Sequence, residues 1–279
     1  MDAGRHVPRL PCRRGNGNDR SERRSLRLVL GYSRGKPKGA LGRPTGGQLS
    51  MERQVTLPFA PPARSTIEAY YPGANAELLE VVVDVVRGEA PRVLYVHGPA
   101  ESGKSHLLQG AAVLARRNRR LSAYIPLGES GVAPGLFAQL NGRGVFCLDD
   151  LQCVAGDRDW EKALLDFYER VQQAGGSFVV AAPDPPSALA LQLDDLRSRL
   201  ASQLVYRVAP LTEIQRADAL RWEARRRGLD VSMATIEWLM RRVPRGARAL
   251  FELLDDIDRL SLEENRKVTI PFLRDMGVG

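Results

Sequence analysis

Four residues within one ten-residue stretch carry the most specific chemistry in this chain. HGPAESGKSH, residues 97–106, sets Gly98, Gly103, Lys104 and Ser105 in the spacing G-x-x-x-x-G-K-[ST]. Glycines there let successive amides turn inward around a phosphate without side-chain clashes. The lysine supplies a point charge for terminal phosphates, and the serine hydroxyl can ligate Mg²⁺. An apolar run, VLYVHG at 93–98, precedes the motif, and a helical pattern through about Ala115 follows it. Strand, glycine-bearing loop, helix is the context that this chemistry requires. A second stretch complements the first: VFCLDD, residues 145–150, closes four apolar residues with Asp149 and Asp150. An acid at a strand end can hold the water shell of Mg²⁺ beside Ser105, so Ser105 and Asp149 are the expected metal-associated pair. Asp150 stands where a water-activating glutamate often sits. Its shorter side chain predicts slow intrinsic hydrolysis.

These residues need a scaffold, and the pattern supplies one. ANAELLEVVVDVVRG (74–88) has apolar residues at helical spacing and a closing glycine. Strand-like runs recur at 122–127, 144–150, 177–183 and 204–210, with a helical segment at 159–175 between two of them. Short apolar runs suit strands buried on both faces, and their alternation with helices predicts an α/β fold with a parallel sheet. After Pro210 the periodicity is helical only. Thr212 and Gln215 stand in capping-box spacing ahead of a segment closing at Gly228, and three further helical segments follow. The expected organisation is an α/β domain over 63–210 and a small all-helical domain over 211–279.

Charge separates the chain further. Residues 1–50 hold ten Arg and two Lys against three acids, a net of +9. The other 229 residues carry 29 cations and 30 acids, so the alkaline character belongs to the tail and not to the folded part. That tail is rich in Gly and Arg and poor in aromatics, a disordered composition. It reads as a targeting peptide, a nucleic-acid-binding arm, or an upstream extension of a frame whose functional start is Met51; the last is preferred. RRNRR at 116–120, Arg225–Arg227 and Arg241–Arg242 fall near expected helix C-termini, where cations offset unpaired carbonyls. No run of 18 apolar residues occurs, and three cysteines without zinc-ligand spacing read as reduced thiols.

One short stretch does not fit a self-contained fold. QVTLPF, residues 54–59, presents apolar Leu57 and Phe59 in a proline-bearing linker where neither a long helix nor a long strand can form. Either these side chains staple onto the chain's own α/β domain, or their pocket lies on another protein.

With these residues in view, the sequence resembles the AAA+ ATPases. More narrowly it resembles the DnaA-related family, which holds the replication initiator DnaA and the regulator Hda. The resemblance covers about residues 54–275 and rests on GPAESGKSHLL, VFCLDDLQCVAGD, AAPDPP, LRSRL, RGARALF and KVTIPF taken in order. It implies a P-loop NTPase domain followed by a helical lid, with ADP or ATP and Mg²⁺ as ligands. Asp184 in AAPDPP matches the sensor-1 position. Arg199 in LRSRL matches the arginine finger, which in this family enters a neighbouring subunit's nucleotide site. Arg248 in RGARALF matches the sensor-2 arginine of the lid. Tyr70, Tyr71 and Asn75 fall near the segment that lines the adenine pocket. QVTLPF is similar to the Q-x-x-L-x-F peptide with which bacterial proteins bind the replicative sliding clamp, so Gln54, Leu57, Pro58 and Phe59 are the expected clamp contacts.

The resemblance therefore implies a cytoplasmic adaptor, associated with the nucleoid through the clamp. It would bind the DNA polymerase III sliding clamp (beta subunit), touch DNA only through it, and stimulate ATP hydrolysis by DnaA. Homo-oligomers are compatible with it. The sequence leaves no room after the lid for the DNA-binding domain of an initiator, which favours the regulator. Two other readings stay open: an ATP-dependent, DNA-binding initiator or helicase loader, and a self-contained ATPase. The near-neutral folded part offers no obvious DNA-facing surface for the first.

Overall fold

A computed structural model describes residues 65–89, 91–243 and 247–278. The basic tail and QVTLPF, with Gln54, Leu57, Pro58 and Phe59, lie outside the described residues. The elements run α1 (Ala76–Arg87), β1 (Val93–His97), α2 (Lys104–Arg117), β2 (Ser122–Pro126), α3 (Gly135–Ala138), β3 (Val145–Asp149), α4 (Arg158–Ala174), β4 (Ser177–Ala182), α5 (Asp194–Ala201) and β5 (Leu204–Arg207). Four helices follow: α6 (Glu213–Arg226), α7 (Met233–Arg242), α8 (Ala247–Glu263) and α9 (Ile270–Asp275).

The five strands form one parallel sheet in the order β2-β3-β4-β1-β5. Every pairing is parallel, even between the sequence neighbours β2–β3 and β3–β4, so connections must cross over and both faces become covered. Alternate residues of β1 accordingly enter two different cores. Leu94 and Val96 join Val82, Leu107, Leu108 and Val179 under α1 and α2. Val93 and Tyr95 join the opposite face, where Phe167 of α4 meets Phe146 at 4.8 Å, Phe137 at 5.1 Å and Phe178 at 5.3 Å between ring centroids. The last four helices close a third core around Leu220, Ile236, Leu239, Leu254 and Phe272. Among the described residues, no helix is long and apolar enough to cross a membrane.

Local signals set the helix ends. Thr212 and Gln215 form the full capping box of α6, each side chain accepting from the other residue's backbone amide. Ser232 caps α7, and Asp157 accepts from Asp159 N and Trp160 N at the start of α4. The arginine clusters fall in the last turns of α2, α6 and α7 or just beyond them, and their contacts are varied. Arg120 donates to Val85 O and Val86 O at the end of α1. Arg92 donates to Gly175 O at the end of α4. Arg227 pairs with Glu223 at 2.9 Å and with Asp255 at 2.6 Å, and Arg242 stacks on Trp238 at 4.1 Å.

Phe167 joins three aromatic neighbours across the α4 face of the sheet, so deleting it opens a cavity that the rigid strands cannot close. Phe167→Ala should cost about 3–5 kcal/mol in urea unfolding, against about 1 kcal/mol for Phe167→Leu.

Candidate nucleotide site

The phosphate loop starts where β1 stops. Gly98 N donates to Pro183 O at 3.1 Å, just past β4, and Val208 N donates to His97 O at 2.6 Å, just past β5. A side chain at Gly98 would stand 2.6 Å from Val208 O, so no other residue fits there without moving a strand extension. Gly103 ends the loop at φ +94°, and its missing Cβ would sit 3.1 Å from the Tyr70 ring. Gly103 is also the N-cap of α2 and provides no side-chain cap. The first amides of α2 therefore face the loop without an intrahelical acceptor, the arrangement that suits a bound anion.

Lys104 Nζ donates to Gly98 O and Pro99 O, each at 2.7 Å, and approaches Ser102 Oγ at 3.4 Å. The ammonium is thus held at the mouth of the loop. Burial lowers its pKa, while the charges of Asp149, Asp150 and Asp184 work in the opposite direction. Those three carboxylates therefore lie within electrostatic reach of one cation. His97, at the end of β1, is also held below its ordinary value by burial and by Arg207, its register partner on β5.

Asp149 ends β3 and is only 1% exposed. Its Oδ2 accepts from Tyr124 Oη at 2.8 Å and its Oδ1 accepts from Asp150 N at 3.1 Å, and the nearby Ser105 hydroxyl favours its charged form. Burial raises its pKa and the Asp150 charge adds to that, while the hydroxyl donors pull it back down. Asp150 follows in the left-handed region at φ 60°, and its Oδ1 accepts from Gln152 Nε2 at 2.9 Å. The Ser105–Asp149 pair fits Mg²⁺, which takes one or two carboxylates plus phosphate and water. Among the described residues, no group of three or more His, Cys, Asp or Glu side chains is placed to hold a metal ion.

Asp184 lies exposed in the turn after β4, with its backbone carbonyl fixed by Tyr95 Oη at 2.8 Å. Arg199 is placed differently. It sits in the last turn of α5, 36% exposed, and pairs with Glu169 at 2.9 Å and Asp195 at 3.1 Å. Its guanidinium also lies 5.9 Å from the Tyr168 ring centroid. These partners belong to α4 and α5, not to the phosphate loop. Arg248 falls in the first turn of α8, and its side chain lies outside the described residues.

Beside the loop, Tyr70, Tyr71, Gly103, His106, Arg216 and Phe251 line a cleft of about 160 Å³ between the sheet domain and the lid. Burial pushes Tyr70 up to about 12. Asn75 is buried close by but is committed to the backbone: it donates to Ala209 O at 3.0 Å and accepts from Ala209 N at 2.8 Å. It thereby pins the linker into the lid. A larger cavity of about 500 Å³ near Arg117 and Glu223 is remote from the acids of the strand ends, and its walls include the Arg117–Glu68 and Arg227–Glu223 pairs. We therefore place the chemistry at the smaller cleft.

Motif reading overlooked Tyr124 and His106. Tyr124 lies in β2, which pairs with β3, and a phenol at the middle of a short strand was the available signal. His106 directly follows Ser105, and only the folded chain shows its ring edge-on to Tyr70 at 5.6 Å.

Residues 213–276 match the family model described as Hda, lid domain. By structure the chain is similar to domain III of the replication initiation protein DnaA from Thermotoga maritima. That match has 18% identity and a TM-score of 0.60, covering 75% of this chain and 94% of that one. AMPPCP-bound DnaA from Aquifex aeolicus matches at 18% identity and TM-score 0.58, over 71% of this chain and 65% of that one. The C-terminal helices of this chain match the Hda lid, and the chain shares the fold of DnaA. A RuvB mutant from Thermotoga maritima shares the fold more distantly, at 16% identity and TM-score 0.53, over 77% of this chain and 71% of that one. The five-stranded parallel sheet thus has the fold shared by DnaA and RuvB, and the helices from α6 onward match the Hda lid.

His106 gives the cleft a pH signature. Its ring Nε2–H donates to Thr66 O at 3.3 Å, and burial lowers its pKa from 6.5. A depressed folded pKa means that the unfolded chain takes up the proton first. Stability is then complete above pH 6.5 and falls as pH drops through the folded value. His106→Gln, which keeps a donor, should flatten the loss of melting temperature between about pH 7 and 5, leaving the His97 share.

Proposed function

We propose that this chain is a nucleotide-bound AAA+ adaptor that binds the replicative sliding clamp and stimulates ATP hydrolysis by DnaA, so limiting re-initiation of replication. The observation carrying this reading is the position of Arg199. It stands partly exposed on α5 and is held by Glu169 and Asp195, not by its own phosphate loop. A guanidinium displayed away from its own site is suited to another subunit's nucleotide. The Hda-type lid at 213–276 supports the same reading.

In its own site, the loop amides, Lys104 and the lid's Arg248 bind ADP or ATP. Ser105 and Asp149 hold Mg²⁺, which neutralises charge on the phosphate oxygens. Tyr124 orients Asp149, and the Asp184 charge favours the ammonium form of Lys104. Asp150, short and shared with Gln152, is a weak water-positioning group, so intrinsic hydrolysis is slow. In DnaA's site, Arg199 supplies charge as the γ-phosphoryl leaves, an effect worth about 10³–10⁵-fold in rate. The hook QVTLPF brings the two together. Burying Leu57 and Phe59 contributes roughly 3–6 kcal/mol before ordering costs, enough for a tether that works on a clamp already concentrated at DNA. The setting is the cytoplasm, with the nucleoid reached through the clamp.

The test is ATP hydrolysis by purified DnaA with clamp-loaded DNA and the full chain added. Arg199→Ala should abolish stimulation while clamp binding persists. Joint replacement of Gln54, Leu57 and Phe59 by alanine should remove clamp binding and, with it, most stimulation. Stimulation that survives the arginine change would overturn the finger assignment, and survival of the alanine version would overturn the tether. Lys104→Ala should weaken nucleotide binding by the chain itself by at least about tenfold in equilibrium titration.

A further inference from the structure

Glu161 is a carboxylate with no contact to the phosphate site and 0% exposure. It lies in the first turn of α4, yet its oxygens leave that helix. Oε1 accepts from Gly156 N at 2.7 Å and from Gln192 N at 3.0 Å. Oε2 accepts from Gln192 N at 2.8 Å and from Leu193 N at 2.7 Å. Buried carboxylates are costly unless their acceptor sites are filled. Here three backbone amides fill them.

The location of those amides matters. Leu193 is the N-cap of α5, and a leucine cannot cap a helix with its side chain; none of its side-chain atoms does so. Helix starts need an acceptor and favour negative charge. Glu161 supplies both across the gap between α4 and α5: it takes the amide of the N-cap residue Leu193 and of Gln192 before it, anchoring the entry to a helix that lacks a side-chain cap of its own. Gln192 closes the same junction by donating from Nε2 to Gly156 O at 2.6 Å. Two turns further along α4, Glu169 takes the guanidinium of Arg199 at the far end of α5. One helix thus holds α5 at both ends, through a buried carboxylate at its start and an exposed one at its finish.

We infer that Glu161 is a positioning residue for Arg199, fixing the start of α5 so that the guanidinium is presented at a set place on the surface. This rests on the proposed function, since it concerns the arginine offered in trans. A purely structural role predicts that melting temperature, nucleotide binding and stimulation all decline together. A positioning role predicts that they separate. In Glu161→Gln the amide has the same size, but its NH₂ must face a backbone N–H, so the anchor is lost without a cavity.

For the full chain carrying Glu161→Gln, the maximal rate of stimulated DnaA hydrolysis at saturating chain should fall by on the order of tenfold to a hundredfold, with nucleotide Kd within about twofold. Amide exchange at Gln192, Leu193 and through α5 should accelerate by about tenfold or more. Full stimulation by this variant, where Arg199→Ala abolishes it, overturns the inference and leaves the proposed function standing. Intact stimulation with Arg199→Ala overturns the proposed function, while the exchange data still judge the hold on α5. If Glu161→Gln does not fold, exchange on the unsubstituted chain decides. Protected amides at Gln192 and Leu193 support the anchor, and exchange at unprotected rates rejects it.

Discussion

The close approach at Gly98 governs the rest of the site. Its amide is bound to Pro183 O beyond β4, and its α-carbon faces Val208 O beyond β5, with no room for a side chain. The phosphate loop therefore begins at a point fixed by two neighbouring strands. Strand register, not loop conformation, then sets where α2 starts relative to the end of β3, and hence where Ser105 stands relative to Asp149. The same point fixes the lid. Val208 leads directly to Ala209, whose amide and carbonyl are both taken by Asn75. The phosphate loop and the linker into the lid are thus held to the same strand extension.

Around this anchor the charges are arranged in opposition. Lys104 is surrounded by the fields of Asp149, Asp150 and Asp184, while burial works against its charged form. Asp149 meets the reverse balance: burial and Asp150 disfavour its charge, and the Ser105 and Tyr124 hydroxyls favour it. A carboxylate in that condition gains more than an exposed one from a nearby cation. The site is thus tuned by desolvation, and the sheet enforces that desolvation by burying β3 from Val145 through Asp149.

Much of this was legible in sequence because the signals were local. Each strand is a short apolar run, and the phosphate loop is defined by glycines whose role depends on their own backbone. Thr212 and Gln215 announce α6 because a capping box is contained within four residues. The opposite holds for α5. DDLRSRLA has little amphipathic character, and its start is stabilised by Glu161, more than thirty residues earlier. In sequence Glu161 looks like any acid in a helix's first turn, where dipole arguments already explain it. Its burial is a tertiary fact, and nothing in its neighbours encodes it. Asn75 is a related case: its position near Tyr70 was readable, its bonds to Ala209 were not.

The two carboxylates that hold α5 are suited to different tasks. Glu161 is wholly enclosed and satisfied by backbone amides, so it cannot exchange partners without breaking the fold locally. Glu169 and Asp195 meet Arg199 at the surface, where water screens ion pairs and leaves them little net contribution to stability. A guanidinium in such a pair can leave its carboxylates for a phosphate at small cost, yet much of its rotamer freedom has already been lost. Fixing the helix with an internal, permanent bond and the side chain with an external, exchangeable one allows an arginine to be both pre-set and transferable. Were both contacts buried, the arginine would be immobile; were both exposed, α5 itself would wander, and the guanidinium would search for its target instead of meeting it.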